Sequence, residues 1–215
     1  MFGSGSFPPT DTLISGDVKV RYTYMSDEVP PILEFMQLMA ATITRTAGML
    51  DQNQMAAFFK NMLAAKRVYV AGAGRSGYIA KAFGLRLIHL GYDAYVVGET
   101  ITPAFNAGDT LVVFSGSGET QSISSICGTA KELGGTVCLI TSSPDSKMSR
   151  VADCVVNLGD LTGYYRKETN SFEIRQLKGD YRSVSSAFAT LGTLFETMAL
   201  VFSDAVLRYL ADTLG

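Results

Sequence analysis

A Ser/Gly loop, Ser115-Gly116-Ser117-Gly118-Glu119-Thr120, holds the residues of this 215-residue chain that are best suited to binding chemistry. It follows an apolar run that predicts a strand, and it opens an amphipathic segment that predicts a helix. The free N–H groups and the positive end of a helix bind anions, and hydroxyls add donors. The alternative is an ordinary N-cap at Ser117. Because three hydroxyls and two glycines exceed what a cap requires, we expect the loop to bind a phosphate group.

A second glycine-rich turn, Gly72-Ala73-Gly74-Arg75-Ser76-Gly77, also lies between a predicted strand and a predicted helix. It matches the G-x-G-x-x-G pattern of dinucleotide-binding folds, and Glu99 follows roughly 20 residues later. Any tight strand-to-helix turn favours glycine, so this pattern alone leaves both interpretations open. A sugar phosphate lying between the two turns would use both of them, whereas a dinucleotide has no general need for the second.

Short apolar runs alternate with amphipathic segments through the middle of the chain. Strands are predicted at 68–71, 94–97, 110–114, 137–140 and 154–156, and helices at 76–90 and 120–133. Continuous apolar strands separated by helices are typical of a parallel sheet covered on both faces. With right-handed crossovers they predict a flavodoxin-like, three-layer α/β sandwich around a five-stranded parallel sheet.

Longer segments flank this alternation on both sides. Apolar residues at helical spacing predict a helix over 32–65, broken or kinked near 48–53, and another over about 186–210. Residues 158–185 lack periodicity and are interpreted as a long, partly irregular connection. Residues 1–24 have loop composition, and we interpret them as a tail or a cloning remnant that precedes a single domain of residues 25–215.

Composition excludes several classes of partner. Hydrophobic residues make up 47% of the chain and charged residues 18%, and the formal net charge is −2. No Lys/Arg run indicates nucleic acid, no apolar run approaches the ~20 residues of a membrane span, and no secretory signal is evident. We therefore expect a cytoplasmic protein that buries apolar surface between subunits. Cys127, Cys138 and Cys154 form no CxxC pair and the chain has one histidine, so no metal site is expected. Two of the three lie in apolar runs, which predicts buried free thiols.

Five segments together resemble the 6-phospho-3-hexuloisomerases, which are sugar isomerase (SIS) domain proteins. They are Gly74-Arg75-Ser76-Gly77-Tyr78, Leu87-Ile88-His89-Leu90-Gly91, Val97-Gly98-Glu99-Thr100 with Pro103, the Ser/Gly loop, and Leu191-Gly192-Thr193-Leu194-Phe195-Glu196. The likeness runs from about Met25 to the C-terminus. It implies a SIS fold, a homotetramer with sites between subunits, and no metal or organic cofactor. The implied reaction interconverts 3-hexulose 6-phosphate and fructose 6-phosphate, in the ribulose monophosphate route of formaldehyde assimilation or its reverse.

This reaction requires a base at C2, and a partly desolvated carboxylate suits that role. The resemblance favours Glu196, although Thr193-x-x-Glu196 also fits a capping box at the start of the last helix. His89 would act in a neighbouring subunit's site, since it lies about 18 Å along its helix from the Arg75-Ser76 turn. Alternatively, His89 only interacts favourably with the dipole at the C-terminal end of that helix. We expect Arg75, Ser76 and Thr193 to contact the substrate, whereas Glu99 binds sugar hydroxyls or only orders its own loop.

Other functions remain open on the sequence alone. A SIS isomerase for arabinose 5-phosphate or a heptose phosphate would carry the same loop. A non-catalytic sugar-phosphate sensor would bind the phosphate in the same way, but residues 1–31 are too short and too poor in basic residues to supply the DNA-binding helix-turn-helix usually joined to such modules. A dinucleotide-dependent oxidoreductase is the third alternative.

Overall fold

The computed structural model describes residues 32–159, 174, 177–178 and 186–214, with the side chains of 34–35, 186–193 and 214 excepted. Five strands form one parallel sheet in the order β2-β1-β3-β4-β5. Their bounds are β1 Val68–Gly72, β2 Ala94–Val96, β3 Thr110–Phe114, β4 Thr136–Thr141 and β5 Cys154–Asn157. All five predicted strands are confirmed, and this strand order is the flavodoxin-like one.

Six helices are described around this sheet. They are α1 Ile32–Met49, α2 Gln52–Ala64, α3 Arg75–His89, α4 Gln121–Glu132, α5 Lys147–Val151 and α6 Ser186–Leu214. The predicted break near 48–53 is confirmed: α2 begins after Asp51, whose carboxylate accepts the N–H groups of Asn53 and Gln54. The short helix α5 was not predicted.

Strand residues alternate between two apolar cores, one on each face of the sheet. Val70 and Val112 contribute to the core that α2, α3 and α6 cover. Tyr69 and Leu111 contribute to the core that α4 and α5 cover. Because β3 is buried along its whole length, its continuous apolar sequence is what a strand covered on both faces requires. The three-layer sandwich is therefore confirmed.

The order in which strands are added to the sheet reverses at β1: β2 lies on one side of β1, and β3 lies on the other. The neighbouring strands β1 and β3 pair in register, with Gly72 opposite Phe114. The helix after β1 covers one face, and the helix after β3 covers the other. Their two connecting turns therefore diverge from the same edge, and a crevice at such a point is where open α/β sheets bind ligands.

Several further predictions can be compared with the described residues. Cys127, Cys138 and Cys154 are buried free thiols, as predicted. Among the described helices, none is long and apolar enough to cross a membrane. The predicted tail at 1–24 and nearly all of the connection at 158–185 lie outside the described residues.

Candidate active site

The turn between β1 and α3 packs so closely that two of its glycines leave no room for a side chain. A Cβ atom on Gly72 would lie 2.7 Å from the carbonyl oxygen of Ser76, and one on Gly77 would lie 2.8 Å from that of Gly72. Gly74 adopts a positive φ of 59° immediately before α3 begins at Arg75. The glycine pattern thus has a packing explanation that requires no dinucleotide.

Glu196 contacts this turn from the last helix. The Ser76 hydroxyl donates to Oε1 of Glu196 at 3.5 Å, and Nε of Arg75 lies 4.0 Å from Oε2. Ser76 and Glu196 are 120 residues apart in the sequence, so the packing of α3 against α6 brings them together. Three of the predicted site residues therefore form one cluster at the edge of the sheet.

Burial controls the charge of the Glu196 carboxylate. Its side chain is 16% exposed, and Oε2 accepts no hydrogen bond from any described residue. Burial raises the pKa of Glu196 above its ordinary value, while the Arg75 charge and hydrogen bonds from the backbone and Ser76 act in the opposite direction. A carboxylate with a raised pKa and one oxygen without a hydrogen bond is suited to accept a proton from a bound substrate.

The capping-box alternative for Glu196 is wrong. The last helix begins at Ser186, so Thr193 and Glu196 lie inside it and not at its N-terminus. A capping box satisfies N–H groups that exist only in the first turn. The Thr193 side chain lies outside the described residues, and its predicted contact with substrate stays a prediction.

The serine hydroxyls of the Ser/Gly loop form hydrogen bonds with the backbone of the same loop. Oγ of Ser115 accepts the N–H of Gly118 at 3.1 Å, and Oγ of Ser117 accepts the N–H of Glu119 at 3.3 Å. Helix α4 begins only after Thr120, whose side chain makes no capping hydrogen bond. The alternative of an ordinary N-cap at Ser117 is therefore wrong. Since first-turn N–H groups have no partner within their helix, those of α4 are positioned for an anion.

The Glu119 side chain contacts α5, and its expected contact with substrate stays a prediction. Its carboxylate accepts the backbone N–H of Lys147 at 2.9 Å and lies 3.5 Å from Nζ of the same residue. Its own N–H is already donated to Ser117. Glu119 thus ties the loop to α5, and the repulsion that its charge would exert on a phosphate is offset by Lys147.

The end of β4 and the turn after it, residues 141–146, support the Ser/Gly loop and were not predicted as part of the site. Oγ1 of Thr141 and the N–H of Ser142 both donate to the carbonyl of Gly116, each at 3.2 Å. A Cβ atom on Gly118 would overlap the Ser146 side chain. The missed signal is compositional: four of these six residues carry hydroxyls and follow an apolar strand, as in the Ser/Gly loop.

His89 and Glu99 lie away from the cluster around Glu196. His89 is the exposed last residue of α3, at the opposite end from Arg75. The two ends of this 15-residue helix are about 20 Å apart. The Glu99 carboxylate lies 2.6 Å from Nζ of Lys81, in an exposed ion pair between the β2–β3 connection and α3.

Residues 61–159, which include the sheet and both turns, match the model of the SIS domain family. The 3-hexulose-6-phosphate isomerase of Bacillus subtilis is 31% identical over 85% of this chain and 90% of its own length. The enzyme of the same name from Mycobacterium gastri is 35% identical over 82% of this chain and 81% of its own length. The chain therefore belongs to the SIS domain family, in the group that contains the 3-hexulose-6-phosphate isomerases.

A solved structure extends this similarity to the fold. The crystal structure of a hypothetical protein from Methanococcus jannaschii, with an inferred molecular function of 3-hexulose-6-phosphate isomerase, has a TM-score of 0.66. The two sequences are 27% identical, and the match covers 84% of this chain and 91% of the other.

Proposed function

We propose that this chain is a 3-hexulose 6-phosphate isomerase that interconverts its substrate with fructose 6-phosphate through a 2,3-enediol. The observation that carries the proposal is the Glu196 carboxylate, which is largely buried and has one oxygen without a hydrogen bond from a described residue. It lies beside the turn after β1. The Ser/Gly loop follows the neighbouring strand β3, whose last residue, Phe114, is opposite Gly72 at the end of β1. Relatives named for this activity support the choice of sugar.

The proposed reaction moves one proton between two carbons. The Ser/Gly loop and the first turn of α4 hold the phosphate. Glu196 removes the proton from C2 of the 3-hexulose while the C3 carbonyl oxygen gains a proton, which gives the 2,3-enediol. Protonated Glu196 then donates to C3, and the C2 hydroxyl loses its proton to become the new carbonyl. Arg75 and Ser76, which already adjoin Glu196, contact the sugar.

We propose that the protein is a homotetramer in the cytoplasm and acts in the ribulose monophosphate route. In this assembly His89 would serve the site of a neighbouring subunit, where it moves protons between sugar oxygens or opens the ring. Exposed apolar side chains beside it support a subunit contact at this end of α3: Leu85 is 55% exposed and Ile88 is 53% exposed. A mixed oligomer of Glu196→Gln and His89→Ala chains should then recover activity that neither variant shows alone.

The proposed reaction is tested by incubating the protein with fructose 6-phosphate in deuterated water. We expect deuterium at C3 of fructose 6-phosphate and at C2 of the 3-hexulose formed, as measured by NMR. A protein that binds fructose 6-phosphate but exchanges neither position would be a sugar-phosphate sensor. Exchange at C1 without a 3-ketose would indicate an aldose–ketose isomerase instead.

A further inference from the structure

Four buried polar side-chain atoms have no hydrogen-bond partner in the part of the chain that the structure describes. They are Oε2 of Glu196 and the hydroxyls of Ser122, Ser142 and Ser143. Ser122 lies in the first turn of α4, and the other two serines follow β4, so all four atoms belong to segments at the carboxyl edge of the sheet. Buried polar groups are nearly always paired, so this clustering requires an explanation.

The two serines after β4 adjoin the Ser/Gly loop directly. Ser142 is fully buried, and its N–H donates to the carbonyl of Gly116 at 3.2 Å. Ser143 is 5% exposed; its N–H donates to Oγ1 of Thr141 at 3.0 Å, and its carbonyl oxygen accepts the N–H of Ser146 at 3.2 Å. The backbones of both residues are therefore engaged in holding the turn, while their hydroxyls are not.

Strand alternation places Ser142 near the Glu196 side of the sheet. Cys138 and Ile140 of β4 pack into the core that α6 covers. Ser142 continues this alternation one residue beyond the strand, and Ser143 continues the alternation of the opposite face. Ser142 thus lies on the face that α6 covers, and Ser143 lies on the face that α4 and α5 cover.

We propose that Ser142 and Ser143 are further substrate-binding residues, whose hydroxyls donate hydrogen bonds to oxygen atoms of the bound sugar phosphate. This inference rests on the proposed function and extends its binding site to the turn after β4. A serine hydroxyl can move among three staggered positions, so an unpaired one can turn toward a ligand. Phosphate oxygens and sugar oxygens both accept such bonds.

The unpaired hydroxyls give this proposal a distinctive stability signature. Removing a buried hydroxyl that has no partner loses no intramolecular hydrogen bond. Ser142→Ala and Ser143→Ala should therefore leave Tm unchanged or raise it, while substrate binding weakens. Substitution of a residue with only a structural role would have the opposite effect: Tm would fall and substrate binding would be normal.

The test compares these two variants with Ser203→Ala in the full-length protein. Ser203 is equally buried, but its hydroxyl donates to the carbonyl of Ala199 at 2.6 Å. We expect KM for fructose 6-phosphate to rise about two- to tenfold in Ser142→Ala and Ser143→Ala with kcat little changed, which is the range for one neutral hydrogen bond. Ser203→Ala should keep the KM of the unchanged protein. Unaltered KM in both test variants, or a fall in their Tm, would overturn the proposal.

A thermal-shift measurement with inorganic phosphate distinguishes a hydroxyl that binds the phosphate group from one that binds the sugar. It does not depend on turnover. Stabilisation by a ligand grows with its concentration relative to Kd, so a weaker phosphate site gives a smaller rise in Tm. A smaller rise in either variant assigns that hydroxyl to the phosphate, and an equal rise with a higher KM assigns it to the sugar. If the unchanged protein shows no turnover of fructose 6-phosphate, the proposed function fails, and the phosphate shift still tests these serines as anion ligands.

Discussion

Glu119 and Glu196 are two carboxylates at the same edge of the sheet, and they are held in opposite ways. Both oxygens of Glu119 are engaged by Lys147, through its backbone N–H at 2.9 Å and its ammonium group at 3.5 Å. Glu196 has one oxygen 3.5 Å from the Ser76 hydroxyl and another with no hydrogen bond from a described residue. The first carboxylate supports a loop, and the second is available for a proton.

The difference lies in how each site compensates the charge. Lys147 supplies both a hydrogen bond and a positive charge to the Glu119 carboxylate. Burial without full pairing disfavours the anion, and it raises the pKa of Glu196. The contacts of the two residues therefore indicate a supporting role for Glu119 and favour the proposed acid–base role of Glu196.

Glu196→Gln should have the largest effect, a fall in kcat of about 10²–10⁴-fold, because glutamine cannot act as a general base. The folded state raises the pKa of Glu196, so the ionised form at neutral pH destabilises the fold, and stability is regained as pH falls through that raised pKa. Removing the charge should leave Tm at neutral pH unchanged or higher. Steady-state kinetics and thermal unfolding measure the two effects.

Glu119→Gln is the matched control for that variant. Its amide oxygen can still accept the N–H of Lys147, so only the partly exposed ion pair is lost, and such pairs contribute about 0–1 kcal/mol. We expect kcat within a few-fold of the unchanged protein. If the two variants lose turnover equally, the distinction between a supporting and a reacting carboxylate is wrong.

The sequence predicted the sheet and the two turns well because their signals are local. Strands buried on both faces read as continuous apolar runs, and β1, β3 and β4 were predicted to within two residues at either end. The break before α2 was equally visible, since Asp51 caps the helix through residues only two and three positions away.

What the sequence could not show are contacts between distant segments. Lys147 lies 28 residues from Glu119, and no pattern indicates that the charge of Glu119 is engaged there. The five-residue helix α5 is too short for helical periodicity to reveal it. The capping-box pattern at Thr193 was misleading because the helix had already begun at Ser186.

Gly118→Ala should have the next largest effect, on both stability and phosphate binding. Gly118 has a positive φ of 61°, and an added Cβ atom would overlap the Ser146 side chain, so the loop must move. We expect a loss of about 1–3 kcal/mol in the free energy of unfolding, together with weaker inhibition by inorganic phosphate.

Gly128→Ala is its control within the next helix. An added Cβ atom there meets nothing within 4 Å, and alanine is the better helix former, so stability should rise by up to about 1 kcal/mol. Phosphate inhibition should be unchanged in this variant. A Gly118→Ala protein as stable and as readily inhibited as the unchanged one would show that the loop is not held by the turn after β4.

Arg75→Gln should have the smallest effect, a displacement of the pH profile. The Arg75 charge lowers the pKa of Glu196 against the larger effect of burial, so its removal should raise that pKa further. Because the base must be ionised, the acid limb of kcat/KM should move to higher pH. Lys81→Gln is the control, since that cation is on the same helix but pairs with Glu99, and its acid limb should not move. An acid limb that stays in place in Arg75→Gln would mean that the Arg75 charge does not control the proton affinity of Glu196, and that only burial separates this carboxylate from Glu119.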